Sequence, residues 1–238
     1  MKDYIFGRKA VLNVIKNYPN IIQKIIIQDN LKLDKYEETI LNNKYNLIEY
    51  LSKFDIEKKA QGLNHQGFLC ILKEYKYTHF SEITKNGWNT ILCLDSIQDP
   101  QNFGAIIRSA VLLGVDAIII LDHNQAMVNG TVFKTSAGTA NDIPIVKVSN
   151  LSNALEHLKK SGYWIYASAL NEQSQDIKDI SFSEKKVIII GNEGKGVSMK
   201  LLKNSDFIFK INTKTNIDSL NVSVAAGIIL YECSKSNR

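Results

Sequence analysis

Three short stretches of this 238-residue chain combine polar or cationic side chains with glycine at spacings suited to chemistry. In the first, Asn102, Gly104 and Arg108 follow Asp99 and Pro100. Asp then Pro is a good N-cap and first helical residue. Gly104 therefore falls in the early turns, with Arg108 one turn on along the same face. Helical side chains lean toward the N-terminus, so the guanidinium can lie over the gap left by Gly104. The alternative is a surface arginine beside an incidental glycine. The second stretch runs Gly191-Asn192-Glu193-Gly194-Lys195-Gly196-Val197-Ser198. Three glycines in six residues permit close backbone approach to a ligand. It is not a phosphate-binding P-loop, because Val197 stands where that motif needs Lys. The third is Asp218-Ser219-Leu220-Asn221-Val222-Ser223, opening onto the apolar run 224–231. Burying Ser219 and Asn221 costs free energy unless each finds partners. This helix start is therefore either a well-capped structural end or part of a site.

The elements that must position these residues read as α/β. From residue 90 onward, strand-like runs at 90–94, 115–121, 163–167, 186–190 and 207–211 are mostly separated by helical patterns. Those patterns fall at 100–113, 151–161, 198–203 and 220–234. Near-continuous Ile and Val at 118–120 and 188–190 suit strands covered on both faces, hence a parallel sheet with helices on both sides. Ligands of such sheets sit beyond the carboxyl ends of the strands, where the glycine loop falls. A terminal helix apolar nearly all round is expected to be buried. The first part reads as a small α/β unit, with strands at 21–28, 47–51 and 67–72 and a helix at 33–42. The division is domain 1–73, linker 74–89 and domain 90–238, the linker being polar and aperiodic.

Composition narrows the class. An apolar share of 45% supports a proper core. The first nine residues are too charged for a signal peptide, and no apolar run reaches the roughly 18 residues of a membrane span. A cytoplasmic protein without membrane attachment is expected. Cys70, Cys93 and Cys233 are odd in number and widely spaced, which favours buried free thiols. No Cys/His spacing suggests zinc, so no metal is expected. The net charge of +5 permits an anionic partner without demanding one.

Taken together, Asn102-x-Gly104-x-x-x-Arg108, Gly191-Asn-Glu193-Gly194-x-Gly196 and Ser219-Leu220-Asn221-Val-Ser223 resemble the three motifs of the SpoU/TrmH branch of the SPOUT methyltransferases, in order and near spacing. The resemblance covers roughly residues 90–235. Phe6-Gly7 and Asn64-His65-Gln66-Gly67 are similar to the small L30e-like RNA-binding domain of the RlmB subgroup, although Arg8-Lys9 stands where a His is often seen. The resemblance implies a SPOUT domain with a C-terminal trefoil knot, an exception to the rule against knots. It implies bent S-adenosylmethionine against the knotted loops, methylation of an RNA ribose 2′-hydroxyl, and a homodimer. Carried over, Asn102, Arg108, Glu193, Ser219 and Asn221 match active-site positions. The backbone near Gly191, Gly196, Ile211 and Leu220 matches the cofactor site.

The subgroup further implies a guanosine of 23S rRNA as target. A tRNA methyltransferase of the same superfamily and a non-catalytic RNA-binding protein are the competing readings. A nucleotide hydrolase built on 191–198 lacks the phosphate-binding Lys. A sulfonium is an activated methyl donor, so in-line transfer needs placement more than a metal. The ribose hydroxyl needs its proton removed or its oxyanion stabilised. The resemblance implies Arg108 as the base, but a guanidinium resists deprotonation. Base, or organiser and polariser of the hydroxyl, are the two roles open to it, and the second is preferred. Asn102 would position Arg108 or the ribose, and Glu193, Ser219 and Asn221 would fix the pocket's hydrogen bonds.

Overall fold

The computed structural model describes residues 4–42, 44–214 and 220–235, and the chain divides into two compact units, Met1–Tyr75 and Lys76–Arg238. The first contains β1 (Tyr4–Phe6), α1 (Arg8–Asn17), β2 (Ile22–Gln28), α2 (Lys35–Asn42), β3 (Ile48–Leu51), α3 (Lys53–Ala60) and β4 (Phe68–Leu72). Its sheet has the order β1-β4-β2-β3. Strand β4 is antiparallel to both neighbours, whereas β2 and β3 run parallel. Helix α2 starts with a reciprocal cap. Glu37 N donates to Asp34 Oδ1 (2.9 Å), and Asp34 N donates to Glu37 Oε2 (2.9 Å).

The departure at Arg8 has a structural use. Its guanidinium pairs in bidentate fashion with the buried Glu37 carboxylate and donates to the Lys32 carbonyl (2.8 Å). It also lies over the Phe68 ring, 5.6 Å from the centroid. The Arg8 hydrogen bonds hold the Glu37 carboxyl below its usual range, outweighing the opposing effect of burial. A carboxyl depressed in the folded state contributes stability above its unfolded pKa of about 4.3 and loses it as pH falls through the folded value. Glu37→Gln is expected to cost about 2 kcal/mol at pH 7. Melting curves of the two proteins should converge below about pH 4.

The second unit holds α4 (Glu82–Lys85), β5 (Thr90–Asp95), α5 (Pro100–Leu112), β6 (Ala117–Leu121), α6 (Gly130–Thr135), β7 (Ile145–Val148), α7 (Leu151–Lys160), β8 (Trp164–Ser168), β9 (Gln175–Asp176), β10 (Lys186–Gly191), α8 (Met199–Lys203), β11 (Phe207–Lys210) and α9 (Val222–Lys235). Seven strands form a sheet of order β7-β6-β5-β10-β8-β11-β9, parallel throughout. Ile91, Cys93, Ile119, Ile165, Val187 and Ile189 share one buried cluster with Leu151, Leu155 and Leu158 of α7 and Leu201 of α8. The alternate residues Leu92, Leu94, Ile118, Ile120, Ile188 and Ile190 point to the opposite face and are equally buried. There α9 packs on β10 and α5. Burial on both faces explains the unbroken Ile and Val runs. The three cysteines are buried free thiols, and burial pushes Cys70 and Cys233 up to about 12.

Two expectations need correction. Most of the stretch 74–89, read as a linker, is built into the second unit. Thr78 N donates to Ile145 O (2.9 Å), the Tyr77 hydroxyl accepts from Val128 N (3.0 Å), and Ile83 of α4 is fully buried. A four-residue helix with one core anchor leaves no readable period. Helix α9, expected to be buried all round, is buried only through Val222, Ala226, Ile229, Leu230 and Cys233. Val224 (51% exposed), Ile228 (37%) and Tyr231 (53%) form an open stripe at helical spacing. The sheet and α5 can cover one side of a cylinder, not both. No helix among the described residues is long and apolar enough to cross a membrane.

Candidate active site

The chain runs from β5 through β6 and β7 to one edge of the sheet, and β10 inserts on the other side of β5. Such a reversal of strand order opens a crevice at the carboxyl ends. Asp95 and Gly191 are register partners at those ends of β5 and β10. The cap after β5 forms as its residues predict: Asp99 accepts from Gln101 N (2.9 Å), with Pro100 in the first turn.

Gly104 serves a different purpose from the one expected. A Cβ there would lie 1.9 Å from Thr135 Oγ1 and 2.9 Å from Val132 O. The missing side chain makes room for α6, not for a guanidinium. Arg108 is exposed on α5, with no hydrogen bond or ion pair among the described residues. Residues in contact with α5 had left no signal in the local pattern, so the gap seemed empty.

The glycine loop after β10 is closed on itself. Gly196 N donates to Asn192 O (2.8 Å), and Gly194 N to Asn192 Oδ1 (2.8 Å). A Cβ on Gly191 would sit 2.1 Å from Gly196 C and 2.2 Å from Val197 N, so only glycine fits. Glu193 reaches across to the other two motifs. Its Oε1 accepts from Asn102 Nδ2 (2.8 Å), Asn221 Nδ2 (2.9 Å) and Val222 N (3.3 Å). Asn221 Nδ2 also donates to Asn102 Oδ1 (3.1 Å). Asn221 Oδ1 caps α9, accepting from Ser223 N (3.0 Å) and Ser223 Oγ (2.6 Å). A carboxylate at a helix N-terminus is favoured by the helix dipole.

Three of the five expected active-site residues, Asn102, Glu193 and Asn221, thus meet. Asn102 is tied to Glu193 and Asn221, not to Arg108. Ser219 lies outside the described residues. Beside the junction opens a cleft of about 560 Å³, within the range of small-molecule sites. All four expected cofactor positions, Gly191, Gly196, Ile211 and Leu220, line it. So does Glu193, whereas Arg108 does not. The backbone approach permitted by the glycines, with Leu170, Met199 and Leu202 along the wall, suits a ligand with a flat apolar part and polar ends. Asn212 Nδ2 donates to Asp176 Oδ2 (2.6 Å), tying the segment after β11 to β9. Asp176 and Asp95 went unread in the sequence. Asp95 closes the apolar strand Thr-Ile-Leu-Cys-Leu-Asp, which was the signal available.

Comparison with known proteins decides the family. The profile described as the SpoU rRNA Methylase family matches residues 89–231. A second, described as RNA 2′-O ribose methyltransferase substrate binding, matches residues 4–78. The chain belongs to the SpoU rRNA methylase family. It is 38% identical to a tRNA/rRNA methyltransferase of Mycoplasma pneumoniae described as uncharacterized, over 96% of each chain. Among solved structures, the AdoMet-bound rRNA methyltransferase of Sinorhizobium meliloti superposes with a TM-score of 0.75 at 23% identity, covering 98% of this chain and 87% of that one. The SpoU methyltransferase AviRb of Streptomyces viridochromogenes, in complex with AdoMet, gives 0.74 at 19% identity, covering 99% and 90%. At these identities the two structures speak for the fold of this SpoU chain.

Proposed function

We propose that this SpoU-family protein is an S-adenosylmethionine-dependent RNA ribose 2′-O-methyltransferase whose target is a guanosine of 23S rRNA. The observation that carries the reading is the junction of Asn102, Glu193 and Asn221 beside a cleft lined by Gly191, Gly196, Ile211 and Leu220. The solved relatives that hold AdoMet support the choice of cofactor. When bound, S-adenosylmethionine supplies a methyl on a positively charged sulfur. The loop 191–198 and the residues after β11 hold it through backbone groups. The Asn102–Glu193–Asn221 network keeps α5, the loop and α9 in register, so the cleft opens beside a fixed wall. Arg108 organises and polarises the ribose hydroxyl, which gives up its proton to solvent water. The resemblance to the family assigns Ser219 to the pocket's hydrogen bonds and a trefoil knot to the C-terminal segment. No metal is assigned a role, since placement suffices for an activated donor.

A homodimer completes this reading. Leu112 on α5 is 72% exposed, one turn after Arg108 and Ser109. Ser109 Oγ lies 3.9 Å from where a Gly227 Cβ would be, next to the stripe of Val224, Ile228 and Tyr231. A second copy docked on this face covers the apolar residues and brings Arg108 to the interface, where it can serve the partner's cleft. The first unit is proposed as the RNA-binding domain of a cytoplasmic enzyme.

Mapping 2′-O-methyl groups in RNA from cells with and without the protein tests the target. Loss at one guanosine of large-subunit rRNA is expected. Loss confined to tRNA would favour the tRNA reading that the M. pneumoniae relative's description leaves open. An unchanged map would point to a non-catalytic RNA-binding protein.

A further inference from the structure

Asp95 is 7% exposed and is the only carboxylate among the buried polar residues described in the second unit. A buried charge without an ion-pair partner costs free energy, and none of the described ion pairs involves it. Its two bonds are specific. Asp95 Oδ2 accepts from Ser198 N (2.9 Å), and Oδ1 accepts from Ser96 Oγ (3.2 Å). The neighbouring Ser96 carbonyl accepts from Asn192 Nδ2 (2.9 Å). Residues 95 and 96 therefore grip both ends of the glycine loop, at Asn192 and at Ser198.

The gripping side is itself anchored. Ser96 holds φ of +64°, a left-handed conformation uncommon for a residue with a side chain. Strain of that kind persists only where surroundings impose it. Here Ile97 N donates to Gln125 Oε1 (2.8 Å) and Ile97 O accepts from Ala126 N (2.8 Å). Everything the clamp holds faces the cleft: Asn192, Gly194, Gly196, Val197 and Ser198 all line it. Asp95 does not.

We infer that Asp95 is a positioning residue that sets the cofactor affinity by fixing the shape of loop 192–198, without touching cofactor or RNA. This rests on the reading that the cleft seats S-adenosylmethionine. An acceptor at Ser198 N is what the loop requires, so the conservative amide should serve. Asparagine can accept from Ser198 N through its oxygen while its NH₂ donates to Ser96 Oγ.

The test uses the full chain, calorimetric titration with S-adenosylmethionine, and turnover on RNA at saturating cofactor. Asp95→Ala should weaken cofactor binding about ten- to a hundredfold while turnover at saturation stays within about threefold. Asp95→Asn should stay within about threefold of the parent in both. Parental affinity in Asp95→Ala would overturn the inference, as would equal damage in Asp95→Asn. Should Asp95→Ala fail to fold, Gln125→Ala frees Ile97 N and so loosens the anchor of residues 95 and 96 from outside the cleft, and should show the same selective loss. Parental affinity there overturns the inference too. A parent protein that takes up no S-adenosylmethionine would remove the cleft reading first, an outcome visible before any variant is compared.

Discussion

Replacing Arg108 by alanine is expected to lower turnover by roughly two to four orders of magnitude while leaving S-adenosylmethionine affinity within about twofold, since the side chain lies outside the cleft. The guanidinium is exposed on α5, so its loss removes no buried contact and the fold should survive. Single-turnover methylation and calorimetry on the same preparation separate the two quantities. Full activity in Arg108→Ala would remove this residue from the mechanism. Because Arg108 does not line its own chain's cleft, its action is expected across the interface of the proposed homodimer. Mixing Arg108→Ala with a cofactor-deficient variant should then restore about a quarter of the activity, from one good site in half of the dimers. No recovery on mixing would place Arg108 in its own subunit's site.

Gly191→Ala is the cofactor-deficient partner. A Cβ at 2.1 Å from Gly196 C cannot be relieved by a rotamer change, because what it meets is backbone. The loop must swing away, breaking the bonds that Asn192 makes within it. Overpacking of this kind costs about 1–3 kcal/mol. With the cleft wall displaced as well, cofactor affinity should fall at least about a hundredfold. Calorimetry checks the affinity and a melting curve checks that the protein remains folded. Parental affinity in Gly191→Ala would show that the loop does not hold the cofactor.

Which parts of this molecule were readable beforehand follows from the range of the interactions involved. The strands β5, β6, β8 and β10 are unbroken apolar runs because both faces are buried, and burial of that kind is written locally. The caps Asp99-Pro100 and Asn221 are equally local, as is the intolerance of the glycine loop for side chains. In helix α1 the buried Val11, Leu12, Val14 and Ile15 carry a helical period that was readable and was missed. The helices α3 and α6 and the strand β7 are different: they are short or polar and are held by contacts with distant segments rather than by their own period. The linker reading failed for the same reason, at Ile83.

Residue types and spacing were enough to establish an α/β chain with three motifs that belong together, and the resemblance they carry named the family. Folding determined how the motifs meet. Glu193 joins Asn102 to Asn221 over 91 and 28 residues of chain, a pairing no local pattern encodes. Folding also put Thr135 against Gly104, turned Arg108 outward, and left Val224, Ile228 and Tyr231 uncovered. Such outcomes depend on which surfaces face each other across the sheet. That is a property of packing between elements, and a linear order of side chains does not contain it.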